Sequence, residues 1–283
     1  MQGFVFLNHR WCSIKDAQVP YAHRALLYAD GVFETIRIEP PHYPLFWSEH
    51  KERLQKSAQS IGLRTTTLTH NLTLLYESLP LLTTPHRLRI QLSRTDKQLH
   101  LFSSSHDYEL SALLIPCQKL PITPRYQRYK TMLFSPFYYL NKEDSKPKTI
   151  AYHHEIYAQQ HAQEEGFDDF LKVDLQGFIY SGSTSNFFWI HQEQVFTPPL
   201  CMHVRDGVTR RIIMALVQKQ GLLVEERSCD YDTLQQAEEV FLTSSIQGIV
   251  GAKRIDDIKY TKQTQTRQLY KAYCEFISIN HIT

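Results

Sequence analysis

The stretch that decides the fold is SKPKTIAYHHEIYAQQHAQEEGFDDFLKVDLQGFIYSGSTSNFFWI, Ser145 to Ile190. Lys148 follows a proline-containing turn and stands just ahead of a helical pattern over Tyr152–Glu165, which Gly166 stops. Beyond the glycine, three short runs read as strands: Phe170–Asp174, Phe178–Ser181 and Asn186–His191. One helix followed by a cluster of strands argues for an α+β protein rather than a doubly wound sheet.

Working outward, Phe4–Asn8, Arg87–Ser93, Glu109–Pro116 and Glu239–Ser244 have strand character. A helix is expected from Ser48, its N-cap, to Ile61, with Leu54, Ala58 and Ile61 on one face and Gly62 as the stop. A shorter one starts at Asn71 and runs to about Ser78. Two more cover Thr209–Gln220, ended by Gly221, and Gln263–Ile277. Cys117–Arg128 carries two prolines and little periodicity, so it reads as a linker. It divides the chain into an N-terminal α+β domain, residues 1–118, and a C-terminal domain, residues 119–283, that carries Lys148.

The 283 residues suffice for one large or two medium cores, and 42% hydrophobic with 21% charged residues is ordinary for a globular protein. The net charge is +2 and the basic residues form no stripe, which argues against a nucleic-acid partner. The N-terminus MQGFVFLNHRW has neither a basic region nor an apolar core of the secretory kind, and no apolar run approaches the roughly 20 residues of a membrane span. The five cysteines are scattered and odd in number, which suits free thiols in a reducing cytoplasm. His153 and His154 would point about 100° apart on a helix, so no metal site is expected.

The chemistry starts with Lys148. An amine with a fixed base that reaches into a cleft is what imine formation needs, provided desolvation or a nearby cation lowers its proton affinity. Lys142 and Lys146 lie close by, and most lysines are solvated surface charges. Ser145-Lys146-Pro147-Lys148 also fits S-x-x-K, but Pro147 holds Lys146 extended and no K-T-G follows. An anion site is suggested by DGVTRRII, Asp206–Ile213, a turn that leads into a helix start. Unpaired N–H groups and the positive dipole end favour an anion there, and Thr209 adds a hydroxyl. A plain N-cap threonine explains Thr209 equally well. Leu242-Thr243-Ser244-Ser245 offers further hydroxyls, and Arg53 offers a charge that would otherwise be solvated beside Lys51, Glu52 and Lys56.

Taken together and in order, these elements resemble the class IV pyridoxal-phosphate enzymes, the group of branched-chain and D-amino-acid aminotransferases and 4-amino-4-deoxychorismate lyases. The resemblance rests on YADGVFETIR (28–37), His50-x-x-Arg53-Leu54, Lys148, Ser185-Asn186-Phe187-Phe188, Phe196-Thr197-Pro198-Pro199-Leu200, Gly207-Val208-Thr209-Arg210 and EVFLTSS (239–245). It implies a two-domain fold-type IV enzyme, similar to D-amino-acid aminotransferase, with pyridoxal 5′-phosphate between the domains. It implies that Lys148 holds the cofactor as an imine and then serves as base and acid at the substrate. Arg53, Val208, Thr209 and Ser245 would cradle the phosphate, Tyr152 would meet the cofactor's phenolate oxygen, and Phe33 would line the substrate side. A small amino substrate, a homodimer and a cytoplasmic location follow from the same resemblance.

Ser181 departs from that pattern, for the family usually places a glutamate there, facing the pyridine nitrogen. A carboxylate favours the protonated ring, whereas a serine shares only a neutral hydrogen bond, so the electron sink should be weaker. Ala29, Ala151 and Thr95 are lesser departures. The expected activity is that of a 4-amino-4-deoxychorismate lyase of folate biosynthesis, releasing pyruvate and 4-aminobenzoate. A transaminase of branched-chain or D-amino acids, and a catalytically impaired cofactor-binding scaffold, are the alternatives. For the substrate carboxylate, Arg89, Arg94, Lys97 and Arg205 are candidates by charge alone.

Overall fold

The computed structural model describes residues 3–96, 100–133, 147–200 and 204–279, and all statements below concern these. In chain order the elements are β1 Phe4–Leu7, β2 Arg10–Ser13, α1 Arg24–Tyr28, β3 Gly31–Glu39, β4 Tyr43–Pro44, α2 Trp47–Ser60, α3 Leu68–Glu77, β5 His86–Arg94, β6 Tyr108–Pro116, β7 Arg125–Leu133 and α4 His153–Glu164. There follow β8 Asp169–Val173, β9 Ile179–Gly182, β10 Asn186–His191, β11 Gln194–Thr197, α5 Val208–Lys219, β12 Val224–Glu226, α6 Tyr231–Gln236, β13 Glu239–Ser244, β14 Gly248–Ile255, β15 Ile258–Lys259 and α7 Thr264–Ile279. The chain separates into two compact units, Met1–Lys119 with Pro147–Tyr152, and Leu120–Lys146 with His153–Thr283. The sequence boundary at 118/119 falls one residue away from this break, but the short segment carrying Lys148 groups with the first unit.

In the first unit the strands form one sheet in the order β2-β1-β6-β5-β3-β4. Strand alternation sends Val32, Ile36 and Ile38 of β3 to one face, where Leu54 and Ala58 of α2 and Leu68, Leu72 and Leu75 of α3 complete the core. Phe33 and Thr35 point the other way. Pro147–Tyr152 runs beside the start of β3: Phe33 N–H donates to the Lys148 carbonyl at 2.8 Å and Ile150 N–H to the Gly31 carbonyl at 3.1 Å. Gly31 is required there, because a Cβ would stand 2.5 Å from the Leu92 carbonyl oxygen. Helix α2 departs from expectation at its start. Phe46, in the left-handed region at φ 55°, is the N-cap and makes no side-chain cap bond, while Ser48 lies one residue inside.

In the second unit, β10-β13-β14-β7-β8-β9 pair in sequence, and β9 pairs back to β10, so these strands close a barrel. Tyr129, Leu171, Phe187, Trp189, Leu242 and Ala252 are among the residues that form its core. Helix α4 packs Ala158 and Ala162 against Phe167 and Phe170 outside it. The expected linker, Cys117–Arg128, is corrected at its end: β7 begins at Arg125, and its first residues pair in parallel with β14. Its polar spelling, RYQRYKTML, hides a strand that places one buried Tyr129 in the core. Strands β10 and β13 occupy the bounds read from sequence. No described helix is long and apolar enough to cross a membrane.

Candidate active site

The first unit holds the reactive amine. Lys148 is buried, 7% exposed, and its Nζ lies 4.5 Å from the Phe33 ring centroid. Its backbone N–H donates to Ser57 Oγ of α2 at 3.3 Å, so strand β3 and helix α2 together fix the base of the side chain. The Tyr152 ring meets Phe33 edge-on with centroids 5.4 Å apart. The Arg89 guanidinium of β5 lies 3.6 Å from the same Phe33 centroid. Register explains this: Thr35 pairs with Arg89 and Phe33 with Gln91, so all four share the face away from the helices. Burial lowers the proton affinity of Arg89, opposed by Tyr152. One aromatic ring thus gathers an amine, a guanidinium and a phenol.

On the opposite face of β3, Glu34 is fully buried and is gripped by α2. Arg53 donates to it twice, from Nε to Oε1 and from Nη2 to Oε2, each at 2.7 Å. The His50 ring donates from Nδ1 to Oε2 at 2.8 Å, since an ionised carboxylate can only accept. Burial opposes ionisation of Glu34, but the charge and hydrogen bonds of Arg53, with those of His50, hold its carboxyl far below the usual range. Burial pushes His50 down, against the pull of Glu34, and the positive charges of Arg53 and Lys148 add to that fall. His50 is therefore neutral at ordinary pH, and Arg53 is held in a fixed bidentate geometry.

The second unit holds an anion cup. Helix α5 starts at Val208, and its N-cap, Gly207, provides no side-chain bond to the first amides. Thr209, 2% exposed, turns a hydroxyl that has no hydrogen-bond partner among the described residues. Asn186 of β10 fixes the approach to the helix by donating from Nδ2 to the Arg205 carbonyl at 2.7 Å. A Cβ on Gly207 would lie 1.9 Å from Asn186 Oδ1, so only glycine fits the rim. A helix start whose first amides receive no side-chain cap, a buried hydroxyl without a partner among the described residues and a rim without a Cβ suit a phosphate. The N-cap reading of Thr209 is set aside, since Gly207 occupies that position.

The remaining expected residues fall as follows. Val208 and Thr209 open α5, and Ser245 follows the end of β13. Ser181 lies on β9, half-buried, between Lys172 of β8 and Asn186 of β10. Arg94 is tied to Asp30 at 3.0 Å and to two backbone carbonyls, which makes it structural. Arg205 has a buried Nε with no partner among the described residues. Lys97, Lys142, Ser145, Lys146 and Cys201 lie outside the described residues. A polar cavity of about 200 Å³ in the second unit is lined by Tyr129, Gln159, Asp169, Ser183, Thr243 and Ser244, among others; it takes in part of the Leu242–Ser245 hydroxyl stretch but not Ser181, Val208, Thr209 or Ser245. Sequence reasoning quoted Glu34, His50 and Asn186 within motifs but gave none of them a role. His50 and Arg53, one helical turn apart, were the available signal for the first two.

Comparison with known proteins fits this geometry. The profile of class IV aminotransferases matches residues 31–255, and the chain belongs to that family, whose members are pyridoxal-phosphate enzymes. The aminodeoxychorismate lyase of Bacillus subtilis is 23% identical over 92% of this chain and 89% of its own. The D-alanine aminotransferase of Bacillus licheniformis is 28% identical over 89% of this chain and 88% of its own. The crystal structure of an aminotransferase from Brucella abortus bound to PLP superposes with a TM-score of 0.83 at 21% identity, over 98% of this chain and 99% of that one.

Proposed function

We propose that this enzyme holds pyridoxal 5′-phosphate through Lys148 and eliminates pyruvate from 4-amino-4-deoxychorismate to give 4-aminobenzoate. The observation that carries the cofactor assignment is the buried Lys148 amine over Phe33, with Arg89 on the same ring. In the first unit the reading rests on Lys148, Tyr152, Phe33 and Arg53; in the second it rests on Ser181, the Val208 and Thr209 amides, the Thr209 hydroxyl and Ser245. Bound there, the cofactor supplies an electron sink for the pair released at the substrate's reacting carbon.

Each residue then has a task. Thr209 and the α5 amides bind the dianion. Arg53, fixed by Glu34, adds a cation whose orientation costs no further ordering. Lys148 removes and returns a proton at the reacting carbon, and its burial excludes water from that exchange. Arg89 is suited to a substrate carboxylate, for its guanidinium is already partly desolvated.

Ser181 favours the lyase over the transaminase. Elimination that ends in an aromatic product needs a weaker sink than transamination does. A transaminase of D-amino or branched-chain amino acids is the second reading, supported by the 28% identity to the D-alanine enzyme. The reading extends to a homodimer in the cytoplasm and a place in folate biosynthesis. Tyr21, Leu26 and Phe102, at 81%, 62% and 90% exposure, supply apolar surface suited to a second copy.

Borohydride reduction of the cofactor-loaded protein followed by peptide mapping tests the assignment. Labelling of Lys148 supports it, and labelling of another lysine, or of none, refutes it. Release of pyruvate from aminodeoxychorismate then supports the lyase. Turnover only with amino acids and 2-oxoglutarate or pyruvate supports the transaminase.

A further inference from the structure

The register of the second unit aligns four polar residues in a row across the barrel wall. Lys172 of β8 pairs with Ser181 of β9, Ser181 with Asn186 of β10, and Asn186 with Thr243 of β13. Directly paired residues project to the same face, and strands lie about 4.8 Å apart. From Asn186 to Lys172 the row therefore covers about 10 Å. Where the row passes Asn186 it meets the anion cup, where the asparagine holds the Arg205 carbonyl and meets Gly207. At the other end Lys172 Nζ donates to Glu155 Oε1 of α4 at 2.7 Å, and the two residues are 5% and 9% exposed. Phe170, two residues before Lys172, packs with Ala158 and Ala162 of α4, which confirms that this face of β8 is turned to the helix.

A flat ligand whose phosphate rests on the start of α5 and which lies along this row has its far end at Ser181, beside the ion pair. We propose that Lys172, anchored by Glu155, is a positioning residue for the cofactor's ring. Its fixed positive charge beside Ser181 keeps the ring nitrogen unprotonated, in place of a carboxylate that would protonate it. The inference rests on the pyridoxal-phosphate reading above.

The physical argument is one of neighbouring charge. A cation close to a basic nitrogen disfavours its protonation, whereas a carboxylate favours it. A buried lysine with a partner at 2.7 Å keeps its charge, because losing it would strand Glu155 in a low-dielectric setting. Ser181 contributes only a hydroxyl between them. The pair also explains why a simple restoration of glutamate at Ser181 should fail. The new carboxylate would stand directly opposite Lys172, and the lysine would compete with the ring nitrogen for it.

The test is nitrogen NMR of the protein loaded with ring-¹⁵N pyridoxal phosphate, together with the thermal midpoint of each cofactor-free variant. The parent should show an unprotonated ring. Ser181→Glu alone should shift the signal only part of the way. Ser181→Glu in a Lys172→Met, Glu155→Gln background, where the pair is neutral, should move it fully to the protonated position. Lys172→Arg keeps the charge and should give the parent signal, which preserves the test if the neutral background folds poorly. A protonated parent, a full shift from Ser181→Glu alone, or no shift in either background overturns the inference while leaving Lys148 trapping intact. A parent that takes up no pyridoxal phosphate overturns this inference and the proposed function together.

Discussion

The two units treat buried polar groups in opposite ways. Behind the amine in the first, Glu34 is saturated by Arg53 and His50. At the cup in the second, the hydroxyl of Thr209 has no hydrogen-bond partner among the described residues, and the amides that open α5 receive no side-chain cap. A saturated network stabilises its own fold and holds geometry, whereas unsatisfied donors cost stability until a ligand meets them. The comparison separates residues that build the site from residues that wait for a ligand, and mutation can tell these apart.

The largest effect is expected at the amine. Lys148→Ala should abolish borohydride trapping and lower turnover by about three orders of magnitude or more, as losing a group central to covalent catalysis does. Cofactor should still bind through the cup, with weaker affinity by equilibrium dialysis. A variant that keeps its trapped label moves the reactive lysine elsewhere and breaks the assignment of the two units' roles.

Next comes the saturated side. Glu34→Gln leaves the half-buried Arg53 and the buried His50 without their carboxylate, and should cost about 3–5 kcal/mol in urea unfolding of the cofactor-free protein. A loss below about 1 kcal/mol would mean that Glu34 is a bystander. The waiting side should behave in reverse. Thr209→Val replaces an orphaned hydroxyl by a methyl group of similar size, so the cofactor-free protein should be as stable as the parent or slightly more so. Affinity for pyridoxal phosphate should fall about 10–100-fold, the worth of one hydrogen bond to a charged group. Equal loss of stability in the two variants would erase the distinction between the units.

How much of this was legible follows the same division. The strands Asn186–His191 and Glu239–Ser244 are apolar enough to announce themselves, and both lie where the pattern puts them. Strand β3 gives no such alternation, because GVFETIRIE buries Glu34 and Arg37 among its apolar residues. A charge at a core position reads as surface until its partner is known, and the partners of Glu34 lie on another element. Arg125–Arg128, the start of β7, fell within the expected linker for the related reason that a barrel strand flanked by others needs few apolar residues to hold it. Lys148, Val208 and Thr209 were legible because their order along the chain matches a family. Their geometry was not, for the burial of Lys148 comes from contacts with Phe33 and Ser57, far away in sequence. Lys172 gave no signal at all, since K-V-D at a strand end is what a solvated edge looks like.

The smallest expected effect is on pH dependence, and it distinguishes Glu34 from its buried partner His50. Burial lowers His50 below its ordinary value of about 6.5, so as pH falls through that value the unfolded chain takes up a proton that the folded chain refuses. The unfolded state then binds more protons, and stability falls with pH from about 6.5 downward. Glu34, held below the usual carboxylate range, contributes stability that is complete above about pH 4.3 and lost only as pH drops beneath it. Urea midpoints should therefore decline in two steps, a shallow one beginning near 6.5 and a steeper one below about 4.3. His50→Gln should flatten the shallow step and leave the steeper one in place. If instead the upper step survives His50→Gln, another histidine drives it, and the neutral His50 ring has no part in holding the carboxylate.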